Sequence, residues 1–314
     1  MKMESFLVAV NVVLPMAMMM GIGAILRMTK VTTRETMKQV DKIIFSLFMP
    51  ALMFYNIYQT DFHQSGAGNL LLYSLVGLGL VFLLALFLPP RVEKNRATAA
   101  ALGQAILRPN YILFGVAVAQ SLYGDEGVGT LILLGAVAVP VFNALSAVIL
   151  EIGRAGHPKP VALLVAVFKN PMIVAALLGL TINFSGFRFP AMIEGVISDL
   201  VDITTPLSFL SLGVSFRLGD FAAKRKPLTI GLVTRLVLVP LAMVIPAILL
   251  GFRKTELCAI MALFAAPTAV ASYPMAVAMD ADGDMAAQMV ALSTLLSLVT
   301  IFLWTLCLNG MGLL

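Results

Sequence analysis

Ten apolar runs, each about 20 residues or longer, follow one another along this chain with only short charged connections between them. They lie at about 5–26, 39–59, 68–90, 97–122, 128–150, 161–184, 190–215, 227–250, 256–279 and 285–310. A helix rises 1.5 Å per residue, so crossing a hydrocarbon core of roughly 30 Å takes about 20 residues. Ten crossings use nearly all of the 314 residues, and no water-facing domain fits beside them. The chain is 60% hydrophobic and 12% charged, with a mean hydropathy of +0.99. A soluble domain is about 45–50% apolar and about 25% charged, so a soluble globular, disordered or free-standing nucleic-acid-binding protein is excluded. The sequence predicts an all-α polytopic protein, a single membrane domain over 1–314 held in the lipid bilayer. The run after Glu4 is too long for a signal h-region and has no small-x-small cleavage site, so it is expected to stay as the first span.

Orientation follows from the basic residues, which resist translocation near span ends. One side of the ten-span reading collects fifteen, from Arg27, Lys30, Arg34, Lys38 and Lys42 through Arg91, Lys94, Arg96, Arg154, Lys159 and Lys169 to Arg217, Lys224, Arg225 and Lys226. The other side has four: Lys2, Arg188, Arg253 and Lys254. This asymmetry predicts a multi-pass protein of the cell (inner) membrane with both termini extracytoplasmic. The net charge of +5 is then a topology signal that needs no acidic partner and no nucleic acid.

The two halves share a series of prolines and a glycine. Pro15 and Pro171 are 156 apart, as are Gly23 and Gly179, Pro50 and Pro206, and Pro90 and Pro246; Pro109 and Pro267 are 158 apart. An ordered series of this kind divides the chain into a first five-helix repeat, 1–155, and a second, 156–314. Five is odd, so the second repeat enters the membrane from the opposite side. Inverted repeats of this kind mark secondary transporters.

Spans 4 and 9 carry the candidate site. Proline inside a helix removes one hydrogen bond and clashes with the carbonyl four residues back, which is Ala105 for Pro109 and Leu263 for Pro267. Lipid cannot satisfy freed backbone groups, so these breaks must face protein or water. Pro274 adds a second break, and Thr268–Tyr273 is expected to be unwound. Two broken helices at matching positions of inverted repeats can cross near the midplane, offering N–H ends to an anion and carbonyl ends to a cation.

Arg108 lies beside Pro109 at mid-span, where an arginine costs roughly 2.5–3.5 kcal/mol on insertion scales. A planar guanidinium in such a place suits a carboxylate; bonding to the freed carbonyls is the structural alternative. Gln104, Asn110, Thr268, Ser272 and Tyr273 supply polar groups around the breaks, and Phe45 and Ser46 are candidates for the pocket wall. Arg235 of span 8 poses the same question as Arg108, with Asp199 or Asp202 of span 7 as expected partners. Other features are bland. DADGD at 280–284 lacks the twelfth-position Glu of a calcium loop and reads as a solvated turn. Cys258 and Cys307 read as inert membrane-facing thiols, and the MAMMM run at 16–20 as lipid-facing or packing filler. His63 and His157 fall in loops far apart, and no elbow, HExxH or P-loop spacing occurs, so neither an enzyme, a metal site nor a cofactor is expected.

In order and spacing, LFMPALMF, PNYILFGVAVAQSLYG, KNPMIVAALLGL, TPLSFLSLGVSF, APTAVASYPMAVAMDAD and STLLSLVT resemble the auxin efflux carrier family, whose bacterial members include malate and malonate permeases. The resemblance covers essentially the whole chain. It implies ten helices in two inverted repeats, with spans 4 and 9 crossing as in bile-acid symporters and sodium/proton antiporters, and it implies a homodimer. It places the carboxylate-binding asparagine of span 4 at Asn110. Where plant carriers have a second asparagine in span 9, this chain has Thr268, and Arg108 is no feature of the plant carriers. The second-repeat side therefore supports no auxin assignment, and Arg108 points to a more acidic substrate.

Together these readings predict a secondary transporter of small organic anions, whether mono- or dicarboxylates such as malate or malonate or auxin-like acids, working by alternating access at the crossing. Proton or sodium coupling is left open. One alternative is a cation/proton antiporter, which needs an acidic residue at the crossing that spans 4 and 9 lack. Another is a membrane sensor that binds without transporting.

Overall fold

The computed structural model describes residues 2–60, 68–156, 161, 165, 168–216 and 224–314. His63, His157, Lys159 and Arg217 lie outside the described residues. Among the described residues the architecture is helical with no named strand. In chain order the helices are α1 (Lys2–Met28), α2 (Arg34–Tyr58), α3 (Gly68–Val92), α4 (Arg96–Leu107), α5 (111–123), α6 (125–155), α7 (Pro171–Ser185), α8 (Ala191–Ser215), α9 (Arg225–Leu249), α10 (Lys254–Ala265), α11 (Ser272–Ala278) and α12 (Gly283–Gly310). Among the described residues, six helical stretches are long and apolar enough to cross a membrane: α2, α3, the run Tyr111–Ala155, α8, α9 and α12.

The run Tyr111–Ala155 has 45 residues, about twice a bilayer crossing. It turns at Gly124, whose φ of 60° and ψ of −144° are open to glycine because it has no Cβ, and so it consists of α5 and α6. Helices α2 and α9 are interrupted differently. Each contains a five-residue π segment, Ile44–Phe48 and Thr234–Leu238, and each segment is followed within two residues by a proline, Pro50 or Pro240. A proline ring crowds the carbonyl four residues back, and a widened turn relieves that contact.

The core lies around the interrupted helices. Every residue of α4 from Thr98 to Leu107 is buried, as is every residue of α10 from Leu257 to Ala265. Outer helices instead present large apolar side chains outward, among them Leu72, Leu83 and Phe87 of α3 and Leu241, Ile245 and Leu249 of α9. Such a surface is at home in lipid, where outward leucine has no burial to lose.

Two close approaches repeat with the halves exchanged. A Cβ on Gly23 of α1 would overlap the Leu210 carbonyl of α8, and one on Gly213 would overlap the backbone of Met20. On the other side, a Cβ on Gly179 of α7 would stand 2.9 Å from the Phe54 carbonyl of α2. So α1 packs backbone to backbone on α8, and α7 packs in the same manner on α2.

Two bland readings need correction. The turn 280–284 is not merely solvated: the Asp282 N–H donates to the Ala97 carbonyl at 3.2 Å, and its carboxylate accepts from Thr98 Oγ1 at 2.6 Å and pairs with Lys224. Burial pushes the Asp282 carboxyl up, but the bonds from Lys224, Thr98 and the Met285 N–H outweigh it and hold it below the usual carboxylate range. Cys258 is buried in the core and does not face lipid, because the whole of α10 around it is enclosed; Cys307 is exposed.

Candidate functional site at the crossing of two broken helices

Both breaks form because the residue before a proline is driven out of the helical region. Helix α4 stops at Leu107, and Arg108 is extended at φ −91°, ψ 103° before Pro109. Helix α10 stops at Ala265, and Ala266 is extended at φ −61°, ψ 150° before Pro267. Here the two extended segments meet antiparallel, with Pro109 opposite Thr268. The Asn110 N–H donates to the Pro267 carbonyl at 2.8 Å, and the Ala269 N–H donates to the Arg108 carbonyl at 3.0 Å. Each break satisfies the other's backbone, which is how non-helical chain can persist at membrane depth.

The carbonyls at the ends of the half-helices are taken by side chains. Ala105 accepts from Thr268 Oγ1 at 2.9 Å. Leu263 accepts from Arg235 Nη2 at 3.3 Å. The same guanidinium donates from Nε and Nη2 to Ala266, at 2.9 and 2.6 Å, and from Nη1 to Ile106 at 3.1 Å. Arg235 therefore bridges the C-terminal ends of α4 and α10, where its charge also meets the negative ends of both helix dipoles. The expected pairing with Asp199 or Asp202 is not made: both aspartates are exposed on α8, and Arg235 is buried among carbonyls. Nor are the carbonyls freed by proline open to a cation, as the sequence led one to expect.

Arg108 contrasts with Arg235. It is equally enclosed, at 4% exposure, but its bond is from Nη1 to the sulfur of Met275 at 3.5 Å, and Nε has no partner. It makes neither the carbonyl contacts nor an ion pair among the described residues. Nearby polar atoms are in the same condition. Asn110 Nδ2, Ser272 Oγ and both ends of Gln104 are buried without a partner. A buried guanidinium Nε and a buried amide left unbonded are costly unless something else fills the space beside them.

Of the remaining candidates, Thr268 is fully engaged, its N–H on Ser293 Oγ at 3.0 Å and its hydroxyl on Ala105. Phe45 is buried, whereas Ser46 is exposed on the outside of α2 and does not wall the crossing. Tyr273 lines an open cleft of about 600 Å³ together with Arg34, Lys38, Lys42, Ser215 and Asp282. This cleft lies at the end of the molecule where Arg34 pairs with Asp284 and Lys224 with Asp282.

Sequence reasoning missed Asp41. It is fully buried on α2, accepts a bond from Ser211 Oγ of α8 at 2.6 Å, and lies beside the Tyr273 hydroxyl of α11. Its position two residues inside the apolar run 39–59 was the available signal. The flanking lysines, Lys38 and Lys42, disguised it as part of a solvated end.

A family model described as "Membrane transport protein" matches residues 8–305, nearly the whole chain. This match bears out the resemblance to auxin efflux carriers. A protein of Methanothermobacter thermautotrophicus described as an uncharacterized transporter is 25% identical over 311 residues, covering 96% of this chain and 99% of that one.

Proposed function

We propose, because this chain belongs to the Membrane transport protein family, that it moves small organic anions by alternating access at the crossing of α4–α5 with α10–α11. The observation that carries the reading is Arg108, a buried guanidinium at the crossing with Nε unbonded and no carboxylate paired to it among the described residues. A carboxylate of the substrate supplies the missing partner, since a charge-assisted bond to a guanidinium is stronger than one between neutral groups. Asn110 Nδ2 and Ser272 Oγ are polar contacts for the same anion, and a dicarboxylate of the malonate or malate type is the substrate class.

The ten-span reading with two inverted repeats accompanies this proposal. In support, α4 and α10 are each 12 residues long and end in a proline break, and the extended segments that follow them pair antiparallel. The matched glycines Gly23 and Gly179 also occupy equivalent close approaches. On this reading the end carrying the cleft faces the cytoplasm, and substrate reaches the crossing from there when that side is open.

A cation site built on the crossing's carbonyls is disfavoured, because Arg235 and Thr268 occupy them. The decisive measurement is binding of malonate and malate to purified Arg108→Gln and Arg108→Lys, followed by thermal shift. Bound ligand stabilises by RT ln(1 + [L]/Kd). A charged hydrogen bond is worth roughly 1.5–3 kcal/mol, so Gln should weaken binding about ten- to a hundredfold, with Lys intermediate. Unchanged affinity in folded Arg108→Gln would sink the assignment. Uptake into proteoliposomes separates a transporter from a sensor.

A further inference from the structure

We propose that Asp41 is the proton-binding group that couples anion movement to a pH gradient, as a symporter. The inference rests on the anion-transport reading and adds the coupling ion and its site.

Among the described residues, the side chains that bond to the Asp41 carboxyl or stand directly beside it are uncharged. From α8, Ser211 donates to Oδ1 at 2.6 Å, and Ser215 stands near Tyr273. From α11 comes the Tyr273 hydroxyl, and the π segment Ile44–Phe48 that continues its own helix carries no ionisable side chain. The charges nearby are directed elsewhere. Arg34 pairs with Asp284 and Asp282 with Lys224, while Glu35, Lys38, Lys42 and Asp280 line the cleft. None of these cations lies within ion-pair distance of Asp41, and Oδ2 has no hydrogen-bond partner. A carboxyl enclosed without a cation is lowest in energy as the neutral acid. A proton on Oδ2 removes the uncompensated charge.

Tyr273 connects this carboxyl to water and to the anion site. It lines the 600 Å³ cleft and lies beside Asp41, so it is the group between cleft water and the carboxyl. Two residues further along α11, about 200° around the helix, Met275 takes the Arg108 bond. One short half-helix of the crossing thus touches Arg108 on one face and Asp41 on the other. An anion bound at Arg108 repels the charged form of Asp41 and leaves the neutral form unaffected. Anion and proton therefore favour each other's binding, and by linkage the preference is reciprocal. In the state open to the cleft, one proton from water bonds to Oδ2. In the state open to the opposite face, that O–H bond breaks and the proton returns to water as the anion leaves.

The test uses the full chain in proteoliposomes with malonate, and pH-titrated infrared difference spectra of the purified protein. In the wild type, an acid gradient should drive malonate accumulation, and a carboxylic-acid carbonyl band should disappear on raising the pH. Asp41→Asn should lose that band and at least tenfold of gradient-driven uptake, while malonate–malonate exchange persists and becomes independent of pH. Ser211→Ala keeps the carboxyl and removes its donor, so the infrared titration and the pH profile of uptake should move together by the same amount. It decides the matter if Asp41→Asn does not fold. Gradient-driven uptake that survives in Asp41→Asn, a titrating band unchanged in that variant or absent from the wild type, or profiles that stay in place in Ser211→Ala would each overturn the proposal. A wild type that takes up no malonate counts against the anion reading, and the infrared titration then judges the Asp41 proton alone.

Discussion

Arg235 donates two hydrogen bonds to the carbonyl of Ala266, from Nε at 2.9 Å and Nη2 at 2.6 Å, and its third nitrogen reaches Ile106 on the other broken helix at 3.1 Å. A single side chain on α9 thus closes the carbonyl ends of both half-helices. The Arg108 guanidinium, at the same crossing, has no such contacts among the described residues, and the two arginines divide between holding the breaks and facing the space beside them.

The division gives Arg235 a role in stability. Arg235→Met should unfold more readily, because it strands the carbonyls of Ile106, Leu263 and Ala266, at roughly 1–3 kcal/mol for each group left unsatisfied. Lys in its place keeps the charge but lacks the planar fork, and should lie between Met and wild type. Melting of the purified variants in detergent checks this; an Arg235→Met protein as stable as wild type would contradict the bridging role.

The glycine contact between α1 and α8 is steric. Gly23→Ala or Gly213→Ala forces a methyl into the facing backbone, and overpacking of this kind costs typically 1–3 kcal/mol. Gly21→Ala, two residues from Gly23, meets nothing within 4 Å and gains helix propensity, so its melting temperature should hold or rise. Equal losses in all three would show that the effect is not packing.

Asp282 sets an acid limit on the cleft end of the molecule. Its folded-state pKa lies below the ordinary 3.8, so its contribution is fully present above that value and is lost as the pH falls through the lowered pKa. Asp282→Asn keeps a good helix N-cap but loses the charge. The wild type should therefore melt above Asp282→Asn at neutral pH, and the gap should narrow as the pH falls below 3.8 and close once it is below the lowered pKa. A gap that persists there would mean the carboxylate charge contributes nothing.

Sidedness can be read with single cysteines. Lys94 and Asp125 are both exposed and stand at opposite ends of the α4–α5 pair. In intact cells a cysteine at Asp125 should react with an impermeant reagent, and one at Lys94 only after permeabilisation. Labelling of both from outside would overturn the ten-span topology.

What the sequence determined by itself was local or one-dimensional. Apolar length marks a membrane-embedded helix, and Pro109 and Pro267 mark the breaks, because a missing N–H and a fixed φ act on the chain wherever it sits. Their spacing also pointed to one shared crossing. Only the tertiary structure decided which face of each helix turns toward which neighbour. In helices apolar on nearly every side, hydropathy carries no signal of rotation, so Arg235 was given aspartates and found carbonyls. Thr268 was given to the substrate and is spent on Ala105. Asp41, flanked by lysines in the sequence, is turned away from them into the protein, because α8 and α11 offer Ser211 and Tyr273 at the one angle a helix leaves for it.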